Sequence, residues 1–401
     1  MRSLTDSALI REELCHGHRI TRKTIERFLF LLDLHFEEIL QQLWTRLNGI
    51  YPGLSADVYV DGSHIPRNGK GRGAYTAAGE GGGTVQLQDK FMVAQLVESG
   101  LWVLVEVYRG NLNDPSQYAD FIPQLMLMLK RGSTITMDNG DAVKSLLCEI
   151  KGMDHLTRVR MNGSDIERIR REIGDTEYVC DGTICISHRF ESSYRHTFPF
   201  FSVDRYITGH LQAERETPRL QKMAQDTKDF TKEYDVAKVV RETEREDRGW
   251  FKPESSKRLT PLQALQTYRH RVGIEALISS IKSVVNLKPL RVWSGPSTRG
   301  SVLLGMITQL CVSMVRYDLE PETVERRIDG RVVRTGRKLS SVSICRSLAH
   351  WTVVLVPGNR FAVNRVYADE NDLTRRISEV LDRYRRCFRR LSGVSDPWNG
   401  V

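Results

Sequence analysis

The residues Asp57-Val58-Tyr59-Val60-Asp61-Gly62 open the part of the chain in which apolar strands and helices alternate. Polar and apolar side chains alternate here and a glycine follows, so the pattern predicts a half-buried strand. The two aspartates face the same side of that strand, because side chains repeat every second residue. Asp61 is the preferred candidate for chemistry because Gly62-Ser63 follows it at the strand end, and Asp57 is its rival.

Downstream of this strand, a glycine-rich stretch, 69–83, is predicted to be a flexible basic loop. Two valine-rich runs, 91–97 and 101–107, flank the turn Glu98-Ser99-Gly100 and predict a hairpin. Ser116 is expected to cap the next helix, which runs on to Leu129.

A short strand follows over 134–137 and ends at Asp138-Asn139-Gly140. We then predict a helix over about 141–150 and a strand over 156–161. The order strand, strand, strand, helix, strand, helix, strand is that of the ribonuclease H-like fold, a mixed α/β sheet. In that fold the fourth strand lies parallel to the first, so Asp61 and Asp138 are expected side by side. Asp141 is a weaker rival of Asp138, because it lies within the next helix.

The most informative segment is Tyr268-Arg269-His270-Arg271-Val272-Gly273-Ile274-Glu275-Ala276-Leu277-Ile278-Ser279-Ser280-Ile281-Lys282. We predict one helix here, capped by Thr260 and extending to about Leu287. The spacing of Tyr268, Arg271, Glu275 and Lys282 would place them in one stripe of that helix, apart from its apolar face.

This spacing resembles the signature of the cut-and-paste DDE transposases of the insertion-sequence-four type. That signature is Tyr, two residues, Arg, three residues, Glu, six residues, Lys. The turn Gly110-Asn111…Asp114 and the segment 287–292 are also similar to the family, although Ser63 stands near a place where relatives usually have Thr. The resemblance covers about residues 55–310.

The resemblance implies a DNA transposase that cleaves and joins strands at terminal inverted repeats and in target DNA. Asp61, Asp138 and Glu275 would be its catalytic carboxylates and would hold two Mg²⁺ (or Mn²⁺) ions, with Asp61 bridging them. Mg²⁺ prefers such hard oxygen ligands, and paired ions stabilise the attacking and leaving oxygens of a phosphodiester. A homodimer would join two DNA ends in the synaptic complex.

Four side chains are expected to bind DNA. The resemblance gives Arg271 and Lys282 to the phosphates and places Tyr268 near the cut. Trp250 is a candidate platform for a flipped base, and its alternative is an ordinary apolar contact. Basic segments at 322–338 and 383–390 either contact DNA or are solvated faces.

We predict five consecutive segments along the chain. They are a helical N-terminal region (1–53), a first part of the catalytic core (54–162), a β-rich and then charged insertion (163–260), a second part of the core with the Glu-bearing helix (261–318) and a basic C-terminal region (319–401).

Composition agrees with a nucleic-acid partner without proving one. The net charge is +9, which favours a polyanion. The charged N-terminus does not resemble a signal peptide, and no run reaches the ~20 apolar residues of a membrane helix. The seven scattered cysteines suit a reducing prokaryotic cytoplasm. Cys180 and Cys185, with only His188 nearby, are interpreted as free thiols rather than a zinc site.

Two other functions remain open from the sequence. One is a catalytically inactive or domesticated descendant that binds DNA without cutting it. The other is a structure-directed nuclease of the same fold, which would not need paired DNA ends.

Overall fold

The computed structural model describes residues 21–384, apart from 55–56, 68–72, 82–83, 139–151, 173–176, 182, 188–189, 192–195, 228–248, 284, 286, 288–291, 293, 320–321, 329–330, 338, 350, 356–362, 368–372, 374, 378 and 382. The chain divides into two compact units. The first unit is Met1–Ser55, Asp61–Met128 and Gly273–Val401, and the second is Ala56–Val60 and Leu129–Val272.

Helices and strands are numbered separately in chain order. The helices are α1 (Arg22–Leu34), α2 (Phe36–Ile50), α3 (Asp114–Met126), α4 (Gly163–Arg171), α5 (Val203–Thr227), α6 (Pro261–Arg269), α7 (Val272–Ser283), α8 (Gly295–Asp318) and α9 (Ser341–Ala349). The strands are β1 (Val58–Pro66), β2 (Ala77–Gly81), β3 (Thr84–Leu96), β4 (Trp102–Arg109), β5 (Thr134–Met137), β6 (Asp154–Val159), β7 (Glu177–Asp181), β8 (Thr183–Ser187), β9 (Phe190–Glu191), β10 (His196–Thr197), β11 (Phe200–Ser202), β12 (Trp250–Ser255), β13 (Glu322–Ile328), β14 (Arg331–Arg337), β15 (Trp351–Leu355) and β16 (Val363–Tyr367).

The first unit is built around the long strand β3. It pairs with β1 on one side and antiparallel with β2 and β4, which confirms the predicted β3–β4 hairpin. The prediction of a flexible basic loop over 69–83 was wrong for Ala77–Gly81, which form β2. A Cβ at Gly79 would lie 2.2 Å from the carbonyl oxygen of Gly110, so this glycine serves close backbone packing rather than flexibility.

Helices cover this sheet. Thr21 caps α1 through a capping box with Thr24. Helix α3 is capped by Asn113 rather than by Ser116, because the Asn113 side chain accepts the Ser116 N–H at 3.0 Å. The indole of Trp102 is buried and donates to the carbonyl of Met306 on α8. In the basic C-terminal region, the sequence Asp329-Gly330 predicts a hairpin turn. Strands β13 and β14, on either side of it, pair antiparallel, and residues 329–330 themselves lie outside the described residues.

Helix α8 is long and apolar enough to cross a membrane by length and composition alone. However, 67% of its apolar window is buried inside the protein, which is also typical of a core helix. Its Gln309 is buried and accepts a hydrogen bond from Ser280 at 2.8 Å.

The second unit contains the parallel part of the sheet. The first residues of β1 pair in parallel with β5, and β5 pairs in parallel with β6, as expected for the first and fourth predicted strands. Antiparallel pairs then follow from β6 to β12, β11, β8 and β7. Phe200, Phe251, Leu265 and Tyr268 belong to the buried core of this unit.

Two predictions in this unit were wrong in detail. The sequence of the run 202–207 predicts a strand. Residues 203–207 are instead the start of α5, because the Ser202 hydroxyl accepts the Arg205 N–H and Asp204 lies in the first turn. The single helix expected from Thr260 to Leu287 is two helices, α6 and α7, separated by His270 and Arg271. The Arg271 N–H bonds to Tyr268 in a tight last turn, and the poor helix former Gly273 follows.

The predicted helix over 141–150, Asp141, His188 and residues 385–390 lie outside the described residues. Cys180 and Cys185 lie on the β7–β8 hairpin, but their side chains are not described.

Candidate functional site

The first unit has an open cleft of about 480 Å³ between β1 and α7. Strand β1 contributes Asp61, Gly62 and Ser63. Helix α7 contributes Glu275, Ile278, Ser279, Lys282 and Ser283. Two of the predicted catalytic carboxylates and the predicted phosphate-binding lysine therefore line one cleft.

Helix α7 presents these residues because of its periodicity. Glu275 and Lys282 are seven residues apart, about two turns, and so lie on the same face. Ile274, Leu277 and Ile281 are buried on the other side and fix the helix in place. Glu275 lies in the first turn and Lys282 in the last, which is the favourable order for the helix dipole.

A hydrogen bond crosses the cleft at its basic end. The Lys282 ammonium donates to the Ser63 hydroxyl, with Nζ 2.6 Å from Oγ. At the other strand position, the Asp61 carboxylate accepts the N–H of Gly62 at 2.9 Å. Ser63 was noted in the sequence only as a departure from the family pattern, so its contact with Lys282 was missed.

In the second unit, three side chains contact Asp138 among the residues that the structure describes. The Tyr268 hydroxyl donates to Oδ1 of Asp138 at 2.9 Å. The Arg271 guanidinium lies 3.4 Å from Oδ2, and that of Arg158 lies 3.8 Å from Oδ1. Arg158 was not among the predicted residues, and its only signal in the sequence was its place within the predicted strand over 156–161.

Tyr268 is held by the apolar core as well as by Asp138. Its ring is buried and stacks on Phe251 with the ring centroids 5.6 Å apart. Burial, followed by the negative charge of Asp138, raises the pKa of Tyr268 to about 12. The phenol therefore remains a hydrogen-bond donor across the physiological pH range.

Strand register places Asp138 and Arg158 next to each other. Met137 pairs with Thr157 in the parallel β5–β6 ladder. Asp138 follows Met137, and Arg158 follows Thr157. Val60 pairs with Met137 in the same way, and Asp61 is the next residue of β1. Within the second unit, Asp138 and Arg158 lie at the carboxyl ends of two parallel strands, where ligands of α/β sheets commonly bind.

The rival Asp57 has a different environment. Its Oδ1 accepts the backbone N–H of Thr134 at 2.6 Å, so it satisfies the first residue of β5 at the opposite end of the strand pair. This contact gives Asp57 a structural role.

Trp250 lies in an aromatic and apolar cluster of the second unit. Its ring centroid is 5.2 Å from that of Phe201, and it packs against the small core of Met161, Ile166 and Ile169. The side chain is half-buried by these contacts. These contacts correspond to the alternative role of Trp250, an ordinary apolar contact. Stacking of a flipped base on Trp250 stays a prediction.

Within the described part of the chain, no three carboxylate, imidazole or thiol groups are gathered as a metal-binding cluster. Asp61 and Glu275 supply hard oxygen ligands on one cleft wall each, which suits a cation that completes its shell with water and substrate oxygens.

No protein-family model and no curated protein sequence matches this chain. A cryo-EM structure of a piggyBac transposase synaptic complex with hairpin DNA superimposes with a TM-score of 0.39 and 13% sequence identity. The match covers 65% of this chain and 46% of that chain, so this chain spans less than half of that transposase. At this level of similarity, the match establishes neither a common family nor a common activity.

Proposed function

We propose that this protein is a DDE-type DNA transposase with a ribonuclease H-like core. The observation that carries the proposal is the cleft of the first unit, where Asp61, Glu275 and Lys282 meet from segments far apart in the sequence. Asp61 is a candidate from its place at a strand end, and Glu275 and Lys282 are candidates from their spacing in the Tyr-Arg-Glu-Lys pattern.

Asp61, Asp138 and Glu275 are proposed to hold two Mg²⁺ or Mn²⁺ ions. Magnesium is commonly bound by one or two carboxylates together with substrate phosphates, so a preformed protein cage is not required. When bound, such ions stabilise the negative charge of the phosphodiester transition state and activate water. The protein's own part is to fix the carboxylates on rigid strands and a buried helix.

Lys282, Arg271 and Tyr268 are proposed to bind the DNA phosphates near the cut. Lys282 projects from the last turn of α7 into the cleft, held by Ser63. Arg271 presents a planar guanidinium, which suits bidentate contact with a phosphate. Tyr268 stays protonated and so can donate to either Asp138 or a phosphate oxygen.

The proposal is tested by cleavage of DNA that carries the sequences flanking this gene, in Mg²⁺ and in Mn²⁺. The wild type is expected to cut, and Glu275→Gln is expected to bind the same DNA without cutting it. The matched control is Glu167→Gln, which neutralises an exposed glutamate on α4 and is expected to retain cleavage. Binding without cutting by wild type and variant alike would contradict the proposal and identify an inactive DNA-binding descendant.

A homodimer that pairs two DNA ends is part of the same proposal. DNA with both ends is then expected to be cut faster than DNA with one end. Equal rates on the two substrates would favour a structure-directed nuclease.

A further inference from the structure

We infer that Arg158 is an additional DNA-contact residue, which binds a backbone phosphate beside Asp138. This inference rests on the proposed function and adds to it, because Arg158 is not part of the Tyr-Arg-Glu-Lys spacing. Its guanidinium is an anion-binding group at the carboxyl edge of the parallel strands.

The backbone of Arg158 is fixed within the sheet. Strand β6 lies between β5 and β12, and Arg158 itself pairs with Pro253 of β12. Its strand neighbours Thr157 and Val159 are buried, at 0% and 4% exposure, whereas the Arg158 side chain is 44% exposed. A long cation on an inner strand is thereby held at a defined position while its guanidinium remains open to a ligand.

The charges around Asp138 leave room for a second anion. One carboxylate is shared by the guanidinium groups of Arg158 and Arg271 and by the hydroxyl of Tyr268. Two guanidinium groups therefore contact the same carboxylate. The Arg158 contact is the longer of the two, at 3.8 Å against 3.4 Å for Arg271, and Arg271 is only 14% exposed.

A phosphate oxygen is the anion that fits this arrangement. A guanidinium presents a planar fork of donors that binds a phosphate with two parallel hydrogen bonds. Arg158 can turn from the long Asp138 contact towards a phosphate while Arg271 and Tyr268 continue to hold the carboxylate. The phosphate comes from the DNA backbone, because DNA is the proposed substrate and Asp138, beside Arg158, is one of its proposed metal ligands.

The experiment measures binding of a labelled DNA duplex of arbitrary sequence at several salt concentrations, in Ca²⁺. A lost phosphate contact weakens binding to all sequences and lowers the slope of log affinity against log salt by about 1. Arg158→Ala is therefore expected to bind several-fold more weakly with a shallower slope. Arg158→Lys is expected to keep the slope, because it keeps the charge. Arg171→Ala, which removes an exposed arginine of α4, is the control and is expected to match the wild type.

A wild-type slope in Arg158→Ala would overturn the inference and leave Arg158 as a structural partner of Asp138. If Arg158→Ala does not fold, Arg158→Gln takes its place, since it keeps a donor for Asp138 without the charge. A wild type that binds no duplex would contradict the proposed function itself. If Glu275→Gln loses cleavage but Arg158→Ala keeps the wild-type salt slope, the proposed function stands and only the inference about Arg158 fails.

Discussion

The hydrogen bond between Lys282 and Ser63 fixes the direction of a flexible cation in the cleft. The Ser63 hydroxyl restricts the rotamers of the long Lys282 side chain, which is flexible by itself. A hydrogen bond to a charged group contributes about 1.5–3 kcal/mol, so Ser63→Ala is expected to slow cleavage about tenfold or more. Ser63→Thr keeps the hydroxyl and is expected to restore most of the rate. If the Ala and Thr variants were equally slow in single-turnover cleavage, the loss would come from packing rather than from this hydrogen bond.

The pKa of Tyr268 links the Asp138 cluster to stability at alkaline pH. This pKa is about 12 in the folded protein against an ordinary value of 10.0. Below pH 10, Tyr268 is protonated in both the folded and the unfolded protein, so its full contribution to the free energy of unfolding is present there. As the pH rises from 10 to about 12, only the unfolded state releases the proton, and stability is lost.

We therefore expect the free energy of unfolding to fall less steeply over this window in Tyr268→Phe than in the wild type. The difference is at most about 2–3 kcal/mol, since one unit of pKa corresponds to about 1.4 kcal/mol. Urea unfolding at a series of pH values measures it, and the other buried tyrosines cancel in the comparison. Parallel curves for the two proteins would show that Tyr268 does not titrate as described.

At the level of helices and strands, the cap of α6 supports Tyr268. The Thr260 hydroxyl accepts the Gln263 N–H at 3.2 Å, and Gln263 returns a side-chain acceptor to the Thr260 N–H at 2.9 Å. Thr260→Ala removes the cap of the helix start and is expected to cost about 1 kcal/mol in the free energy of unfolding. Thr260→Ser keeps the oxygen and is expected to recover most of it. Equal urea midpoints for Ala and wild type would mean that the capping box does not contribute.

Single residues could be predicted from the sequence better than the helix that carries them. Asp61 was a candidate from its place at a strand end, and Glu275 and Lys282 were candidates from their spacing; all three line one cleft. The stripe from Tyr268 to Lys282 was wrong because it assumed helical phase across His270 and Arg271. The break between α6 and α7 depends on the tight turn at Arg271 and on the packing of Tyr268 in the core. The periodicity of apolar residues along the sequence gives no information about either contact.

Long-range contacts explain the other differences. Part of the glycine-rich segment forms β2 because its backbone can lie close to Gly110. Gly110 is about 30 residues away in the sequence, so the local pattern of residues does not predict this contact. Arg158 could not be predicted from the sequence as a functional residue, since a single arginine within a strand is common. Its importance comes from the register that places it beside Asp138.

At the scale of the whole molecule, the proposed carboxylates are divided between the two units. Asp61 and Glu275 belong to the first unit, and Asp138 belongs to the second. The proposed mechanism requires all three to act on one phosphodiester, so their contributions to the rate should be coupled. Groups that work as one unit give grossly non-additive losses, whereas independent groups give losses that multiply.

We expect this coupling in cleavage measured with Mn²⁺ for the conservative variants Asp138→Glu and Glu275→Asp, alone and together. Each keeps a carboxylate but moves it by one methylene, so each should reduce the rate measurably. The double variant should be little slower than the slower single variant, because either displacement already spoils the shared geometry. Combining Glu275→Asp with Thr260→Ser, a change at a helix cap, supplies the additive control. If the Asp138 and Glu275 losses simply multiplied, the two acids would serve separate steps, and a single three-carboxylate centre would have to be abandoned.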